Sequence, residues 1–170
     1  MMKNVIFDRD GIINEVVIRK GIPSSPWKKS EFHFKDEIFE VVDRIHLQGC
    51  QIFVASNQPD ISRGNLLESD LNYFNELISS RLKIPYKNIY VCKHDNHHKC
   101  ECRKPKPGML KQILSDFDLK IEETCFVGDS FKDLDAANSI GMNFFYLRTC
   151  YNEKPKKNVK IISNLKDLQF

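Results

Sequence analysis

Short apolar runs rich in β-branched and aromatic residues alternate along this chain with stretches whose apolar positions recur at helical spacing. NVIF (4–7), QIFVAS (51–56), NIYVC (88–92), TCFVG (124–128), NFFYL (143–147) and KIIS (160–163) predict strands. Ile38, Phe39, Val41, Val42, Ile45 and Leu47 predict a helix over 36–47, with Gly49 as its C-terminal stop. Leu66, Leu67, Leu71, Phe74, Leu77, Ile78 and Leu82 predict a second helix over 65–82. A third is expected over 107–117, with Pro107 near its first turn, and a fourth over 131–140, closed by Gly141. Residues 12–35 hold two prolines, a glycine and the only tryptophan, Trp27, which predicts a long loop with room for a hairpin. Near-continuous apolar strands between amphipathic helices predict an α/β fold: a Rossmann-like three-layer sandwich around a mostly parallel central sheet. At 170 residues, one domain over 1–170 is expected. The segments between predicted elements are too short for an inserted cap domain, so an open site is expected.

Composition narrows the partners. With 41% hydrophobic and 29% charged residues the chain is a globular one, and a formal charge of +3 is too weak to argue for nucleic acid or a membrane. No apolar run approaches the roughly 20 residues that span a bilayer. The start, MMKNVIFDRDG, is charged by its third residue and has no signal-peptide core. A cytoplasmic, reducing location is therefore expected, and separately a monomer. In a reducing location thiols are metal ligands or free rather than disulfides. Cys50 and Cys125 are expected in the core. KPKKNVK (154–160) is expected to be a solvated basic stretch.

In parallel sheets chemistry collects at the carboxyl ends of strands. Asp8, Asp10, Ser56, Asn57, Cys92, His94 and Asp129 all fall at or just after such ends. In DRDG (8–11), two carboxylates two positions apart can face one point, one as nucleophile and the other as proton shuttle. GDSFKD adds Asp129 and Asp133. Asp8, the backbone at Asp10, and Asp129 form a sparse oxygen set suited to Mg²⁺. CKHDNHHKCEC supplies Cys92, His94, Cys100 and Cys102, three thiolates and one imidazole, a closed tetrahedral set for structural Zn²⁺. His97 and His98 lie in the same loop as competing ligands. The zinc loop is expected to stiffen the segment ahead of Arg103 and Lys104.

Asp8, Asp10, Gly11, Ser56, Lys104, Gly128, Asp129 and Asp133, in this order, resemble the motifs of the haloacid dehalogenase-like phosphohydrolases over residues 4 to about 147. The resemblance implies phosphoryl transfer through an aspartyl-phosphate on Asp8. Asp10 would be acid then base, Ser56 and Lys104 would hold phosphoryl oxygens, Asp8, Asp10 and Asp129 would bind Mg²⁺, and Asp133 would support them. CRKPKPGM (102–109), DRDGIIN (8–14) and SNQPDISRG (56–64) further resemble the heptose-bisphosphate phosphatase branch, and several of these features are shared with histidinol-phosphate phosphatases. Ile12 and Pro59-Asp60 depart from the usual pattern. The substrate implied is a small phosphorylated sugar, with a bisphosphate needing a second anion site. Arg103 offers a bidentate fork for it, and Arg63, Lys106 and Lys28 are further candidates. Asn57 and Arg63 complete the expected substrate-binding set. The alternatives are another small phosphomonoester, or a zinc-stapled module without catalysis. Residues 92–111 hold six basic residues against two acidic ones, so the positive excess is local and lies on the loop expected to meet phosphate.

Overall fold

The computed structural model describes residues 2–155 and 159–169, so residues 156–158 of the basic stretch lie outside the described residues. The chain opens with β1 (Asn4–Phe7), followed by a hairpin of β2 (Val17–Arg19) and β3 (Ile22–Ser24), then α1 (Ile38–Leu47) and β4 (Gln51–Asn57). Next come α2 (Glu68–Leu82), β5 (Ile89–Cys92), α3 (Gly108–Asp116), β6 (Thr124–Gly128), α4 (Phe131–Asn138), β7 (Asn143–Leu147) and β8 (Lys160–Ile162). The central sheet has six strands in the order β5-β4-β1-β6-β7-β8. Every pairing in it is parallel, so the expected mostly parallel sheet is wholly so.

Period-two alternation sorts side chains onto the two faces. Val5, Phe7, Ile52, Val54 and Val127 join one core with Val41, Ile45, Leu71 and Ile78 from α1 and α2. Ile6, Phe53, Ala55 and Phe126 join the other with Leu110, Ile113, Leu134 and Ala137 from α3 and α4. Each fully buried Val, Leu, Ile or Phe side chain among them contributes about 1.5–3 kcal/mol. The helices thus cover both faces of the central strands and leave the strand ends open.

Strand order reverses beside β1: the chain runs outward through β4 and β5, then crosses to β6 on the other side. In open α/β sheets, ligands bind at this switch point. The expected hairpin in residues 12–35 is β2–β3, turned at Lys20 and Gly21, both with positive φ. Helix α2 begins at Glu68, later than its apolar spacing suggests, because Asn65 and Leu66 donate main-chain hydrogen bonds to the Asp60 carbonyl in a turn. No helix among the described residues is long and apolar enough to cross a membrane.

Candidate active site and metal centre

Asp8 is the first residue past β1, and its amide donates to Val127 O, which places its side chain at the switch point. Its Oδ1 accepts from the Arg9 amide at 2.8 Å and from Lys104 Nζ at 2.8 Å. Among the described residues its Oδ2 accepts no hydrogen bond. Lys104 is 2% exposed, and its Nζ also donates to Ala55 O at 2.7 Å and pairs with Asp133 Oδ1 at 2.6 Å. Burial alone would drive this ammonium toward neutrality, yet the Asp133 and Asp8 carboxylates hold its pKa above the ordinary lysine value. The Lys104–Pro105 peptide is cis.

Asp133 serves two elements. Its Oδ2 accepts from the Ser130 amide and hydroxyl, while Ser130 Oγ caps the Asp133 amide, closing the first turn of α4. Its Oδ1 meets Lys104. Gly128 is required beneath it, since a Cβ there would lie 2.6 Å from Asp133 Cβ.

One carboxylate oxygen each from Asp8, Asp129 and Asp133 lie within 4.8 Å of one another. Three carboxylates face one ammonium, a formal excess of two negative charges that suits a divalent cation. Burial, then repulsion from Asp133, pushes the Asp129 carboxyl from 3.8 to about 7, against the pull of Tyr151 and Lys104. Burial and the Asp133 charge also raise Asp8 well above the carboxylate range, against Lys104. The donor set therefore fits a hard cation such as Mg²⁺.

The same charges dictate a pH dependence. Between about pH 4 and 7, Asp129 holds more proton in magnesium-free folded protein than in the unfolded chain, because its folded-state pKa is raised. Stability should fall as pH rises through that window, by up to about 1.4 kcal/mol per pH unit for each such carboxyl. Melting temperatures from about pH 5 to 8 in magnesium-free buffer check this, and a rising melting temperature contradicts it.

Asp10 has a different setting. Its Oδ1 accepts from Arg9 Nε at 3.1 Å, Arg9 Nη2 at 2.9 Å and Asn14 Nδ2 at 3.0 Å. Its Oδ2 accepts from Ser25 Oγ at 2.8 Å and Gln58 Nε2 at 2.7 Å. Burial pushes this carboxyl up, but the Arg9 charge and the hydrogen bonds from Asn14, Ser25 and Arg9 outweigh it and hold it low. Arg9 itself is fully buried, over the Phe74 ring. Two neighbouring aspartates thus take opposite protonation tendencies.

Ser56 is buried, and its Oγ accepts from Gln58 Nε2 at 2.8 Å. The Asn57 amide group is spent on the main chain of Lys104: its Nδ2 donates to Lys104 O at 2.9 Å and its Oδ1 accepts from Lys104 N at 3.1 Å. Arg63 and Arg103 meet at Asp95. Arg63 grips Asp95 with two hydrogen bonds of 2.7 Å, and Arg103 Nη2 lies 3.9 Å from it. Arg103 also donates to Asn96 Oδ1 and His94 O. Both arginines line a cleft of about 690 Å³ together with Asp8, Asp10, Asn57, Lys104, Asp129 and Lys132. Lys106 is instead turned to Glu101, and neither it nor Lys28 lines this cleft.

Ser25, Gln58, Lys132 and Tyr151 escaped the sequence reading. Lys132 stands at an intervening position of GDSFKD, so motif spacing passes over it. Burial, then the Arg103 charge, lowers its pKa. That marks it as part of the same cationic wall.

Past β5, Cys92, His94, Cys100 and Cys102 bring their ligand atoms within 4.8 Å of one another. The Sγ atoms of Cys92, Cys100 and Cys102 are 3.1, 3.5 and 3.7 Å apart, and His94 Nδ1 lies 3.3 Å from Cys102 Sγ. A zinc tetrahedron with 2.3 Å bonds has sulfur–sulfur edges of about 3.8 Å, which the Cys92–Cys100 edge matches and the two edges to Cys102 reach by opening outward. His98 Nδ1 accepts from the Asp95 amide and stays outside the cluster. Cys50 and Cys125 are buried.

The family described as a haloacid dehalogenase-like hydrolase matches residues 27–141. A Campylobacter jejuni protein named D-glycero-alpha-D-manno-heptose-1,7-bisphosphate 7-phosphatase is 34% identical over 98% of this chain and 93% of its own length. A Helicobacter pylori protein, D-glycero-beta-D-manno-heptose-1,7-bisphosphate 7-phosphatase, is 31% identical over 95% of this chain and 85% of its own. The fold is similar, with a TM-score of 0.80 at 24% identity over 96% of this chain and 94% of the other, to a crystal structure of D,D-heptose 1,7-bisphosphate phosphatase from B. bronchiseptica with magnesium and phosphate.

Proposed function

The chain belongs to the haloacid dehalogenase-like hydrolases and is a phosphatase of that family, and we propose that it removes the 7-phosphate of D-glycero-D-manno-heptose 1,7-bisphosphate. The observation that carries the chemistry is Asp8: one oxygen is pinned by buried Lys104 while the other accepts no hydrogen bond among the described residues.

In the first half, Asp8 attacks phosphorus in line. The new bond joins its carboxylate oxygen to phosphorus, the bond to the sugar oxygen breaks, and Asp10 gives that alkoxide a proton. In the second half, water attacks the aspartyl-phosphate, Asp10 takes the water's proton, and Asp8 leaves as carboxylate with release of inorganic phosphate. The donors around Asp10 favour its ionised form, which the second half uses. Taking up a proton for the first half means giving up acceptor bonds from groups such as Ser25 and Gln58. Lys104 and Ser56 hold phosphoryl oxygens. Asp8, the Asp10 carbonyl and Asp129 would hold Mg²⁺, which offsets charge on the transferring oxygens. Asp133 keeps Lys104 in place.

Arg103, Arg63 and Lys132 on the cleft wall supply the second anion site that a bisphosphate needs. Asn57 lines the same cleft and works by fixing Lys104. In this proposal residues 1–170 are one cytoplasmic, monomeric catalytic domain, acting on small sugar phosphates. The test is phosphate release with Mg²⁺ from the heptose bisphosphate, histidinol phosphate and a heptose monophosphate. The highest kcat/KM is expected on the bisphosphate, with one equivalent released. Equal turnover of all three would sink the substrate assignment.

Zn²⁺ on Cys92, His94, Cys100 and Cys102 would hold the loop that carries Arg103 and Asp95. Metal analysis should find one equivalent of zinc, lost in Cys100→Ser together with stability. A zinc-free protein of unchanged stability would contradict this role.

A further inference from the structure

After β7, residues 148–155 reach back to the cleft. Asn152 anchors this loop: its Nδ2 donates to Leu147 O at 2.8 Å and to Asp129 O at 2.9 Å, and its Oδ1 accepts from the Thr149 amide. The anchored loop delivers Tyr151, whose hydroxyl donates to Asp129 Oδ2 at 2.7 Å. The pair sits directly on the Asp8–Gly11 turn. A Cβ at Gly11 would lie 2.1 Å from Asp129 Oδ2 and 2.7 Å from the Tyr151 hydroxyl. Asp129 Oδ1 accepts no hydrogen bond among the described residues. So one oxygen of this carboxylate is engaged by a neutral donor and walled in by backbone, and the other is open.

We infer that Tyr151 is a positioning residue that reserves Asp129 Oδ2, so that Asp129 offers a bound cation one oxygen, and that the site thereby selects Mg²⁺ over Ca²⁺. The inference rests on the metal reading of the proposed function. Mg²⁺ demands a compact octahedron at about 2.0–2.1 Å and is content with single carboxylate oxygens. Ca²⁺ takes six to eight oxygens at about 2.3–2.6 Å and readily uses both oxygens of one carboxylate. To chelate through both oxygens here, Asp129 must give up the Tyr151 bond in a half-buried place, which strands the hydroxyl. Mg²⁺ meets no such cost. Asp8 is restricted in the same sense, because its Oδ1 already accepts from the Arg9 amide and Lys104. Tyr151 differs in lying outside every motif of the chemistry, on a loop whose other contacts are structural.

The test is calorimetric titration of the full, zinc-loaded chain with MgCl₂ and with CaCl₂, for the natural protein and for Tyr151→Phe. The natural protein should bind Mg²⁺ more tightly than Ca²⁺. Tyr151→Phe should leave Mg²⁺ affinity nearly unchanged and tighten Ca²⁺ roughly tenfold, the scale of one charge-assisted hydrogen bond no longer in competition. Ca²⁺ should correspondingly become a stronger inhibitor of the magnesium-dependent reaction. A purely structural role would weaken both ions together and lower the melting temperature, and that pattern overturns the inference. So does an unchanged ratio of the two affinities. A natural protein that prefers Ca²⁺ overturns it without recourse to any variant. If neither ion binds the natural protein, the metal reading itself fails and this inference with it. If Mg²⁺ binds but the ratio does not respond to Tyr151→Phe, the role of Tyr151 alone fails.

Discussion

Asp8→Asn protein should release no measurable phosphate and yet be at least as stable as the natural chain. Removing the attacking group of an enzyme with a covalent intermediate lowers kcat by about 10⁶. Here the replaced oxygen is the one that would bond phosphorus, and no second carboxylate takes its place. Asp129 has one oxygen on Tyr151, Asp133 is held by Ser130 and Lys104, and Asp10 is saturated by donors from four residues. Stability should move the other way. In magnesium-free buffer, Asp8 is one of three mutually repelling carboxylates, and its pKa is raised by burial and by Asp133. A neutral amide removes that repulsion, so the melting temperature at neutral pH should rise while activity vanishes. Phosphate release and thermal unfolding on the same preparation decide the matter. Residual turnover at even one hundredth of the natural rate would falsify the covalent role of Asp8.

Lys104→Met should have the largest cost in stability. The substitution keeps volume but deletes the cation that pairs with both Asp8 and Asp133, which then face low-dielectric surroundings without it. Breaking a buried ion pair from one side typically costs about 3–5 kcal/mol. Lys104 Nζ also satisfies Ala55 O at the end of β4, so a main-chain acceptor is orphaned as well. Two conditions should shrink the deficit. Added Mg²⁺ replaces part of the missing positive charge, and lower pH protonates Asp8, whose folded-state pKa is already raised. Denaturant unfolding with and without Mg²⁺, at neutral and mildly acidic pH, checks both trends. Natural stability in Lys104→Met would mean that this cation is structurally idle.

The layer architecture is legible from sequence because buried parallel strands have a simple signature. NVIF and TCFVG are apolar on both faces, and few other elements are so short and so uniformly apolar. Element ends are less legible. Leu66 and Leu67 fit the spacing of α2 but precede it, because the Leu66 amide is tied to the Asp60 carbonyl in a turn and Leu67 is extended as the N-cap. The site divides in the same way. Asp8, Ser56, Lys104 and Asp129 stand at strand ends or beside motif glycines, where polarity breaks an apolar run. Ser25 and Tyr151 arrive from loops with no periodicity, and only the three-dimensional path of the hairpin and of the loop after β7 carries them to Asp10 and Asp129. Asp95 is hidden differently. In sequence it is one more charge in a mixed run, and only the fold makes it the acid shared by Arg63 and Arg103.

The reciprocal bonds between the Asn57 side chain and the Lys104 main chain join residues 47 positions apart. They act as a seam. Inside it lie α2, β5, the cysteine–histidine loop, Arg63, Asp95 and Arg103. Outside it lie Asp8, Asp10, Asp129 and Asp133. Of the cations proposed for the second anion site, Arg63 and Arg103 therefore lie inside the seam and Lys132 outside it, on the length of chain that carries Asp129 and Asp133. Lengthening a closed loop costs little, roughly 0.6 kcal/mol per doubling. Substrate range in this scaffold can drift by exchange within this contiguous segment, provided Gln58, which donates to Asp10 and Ser56, is kept.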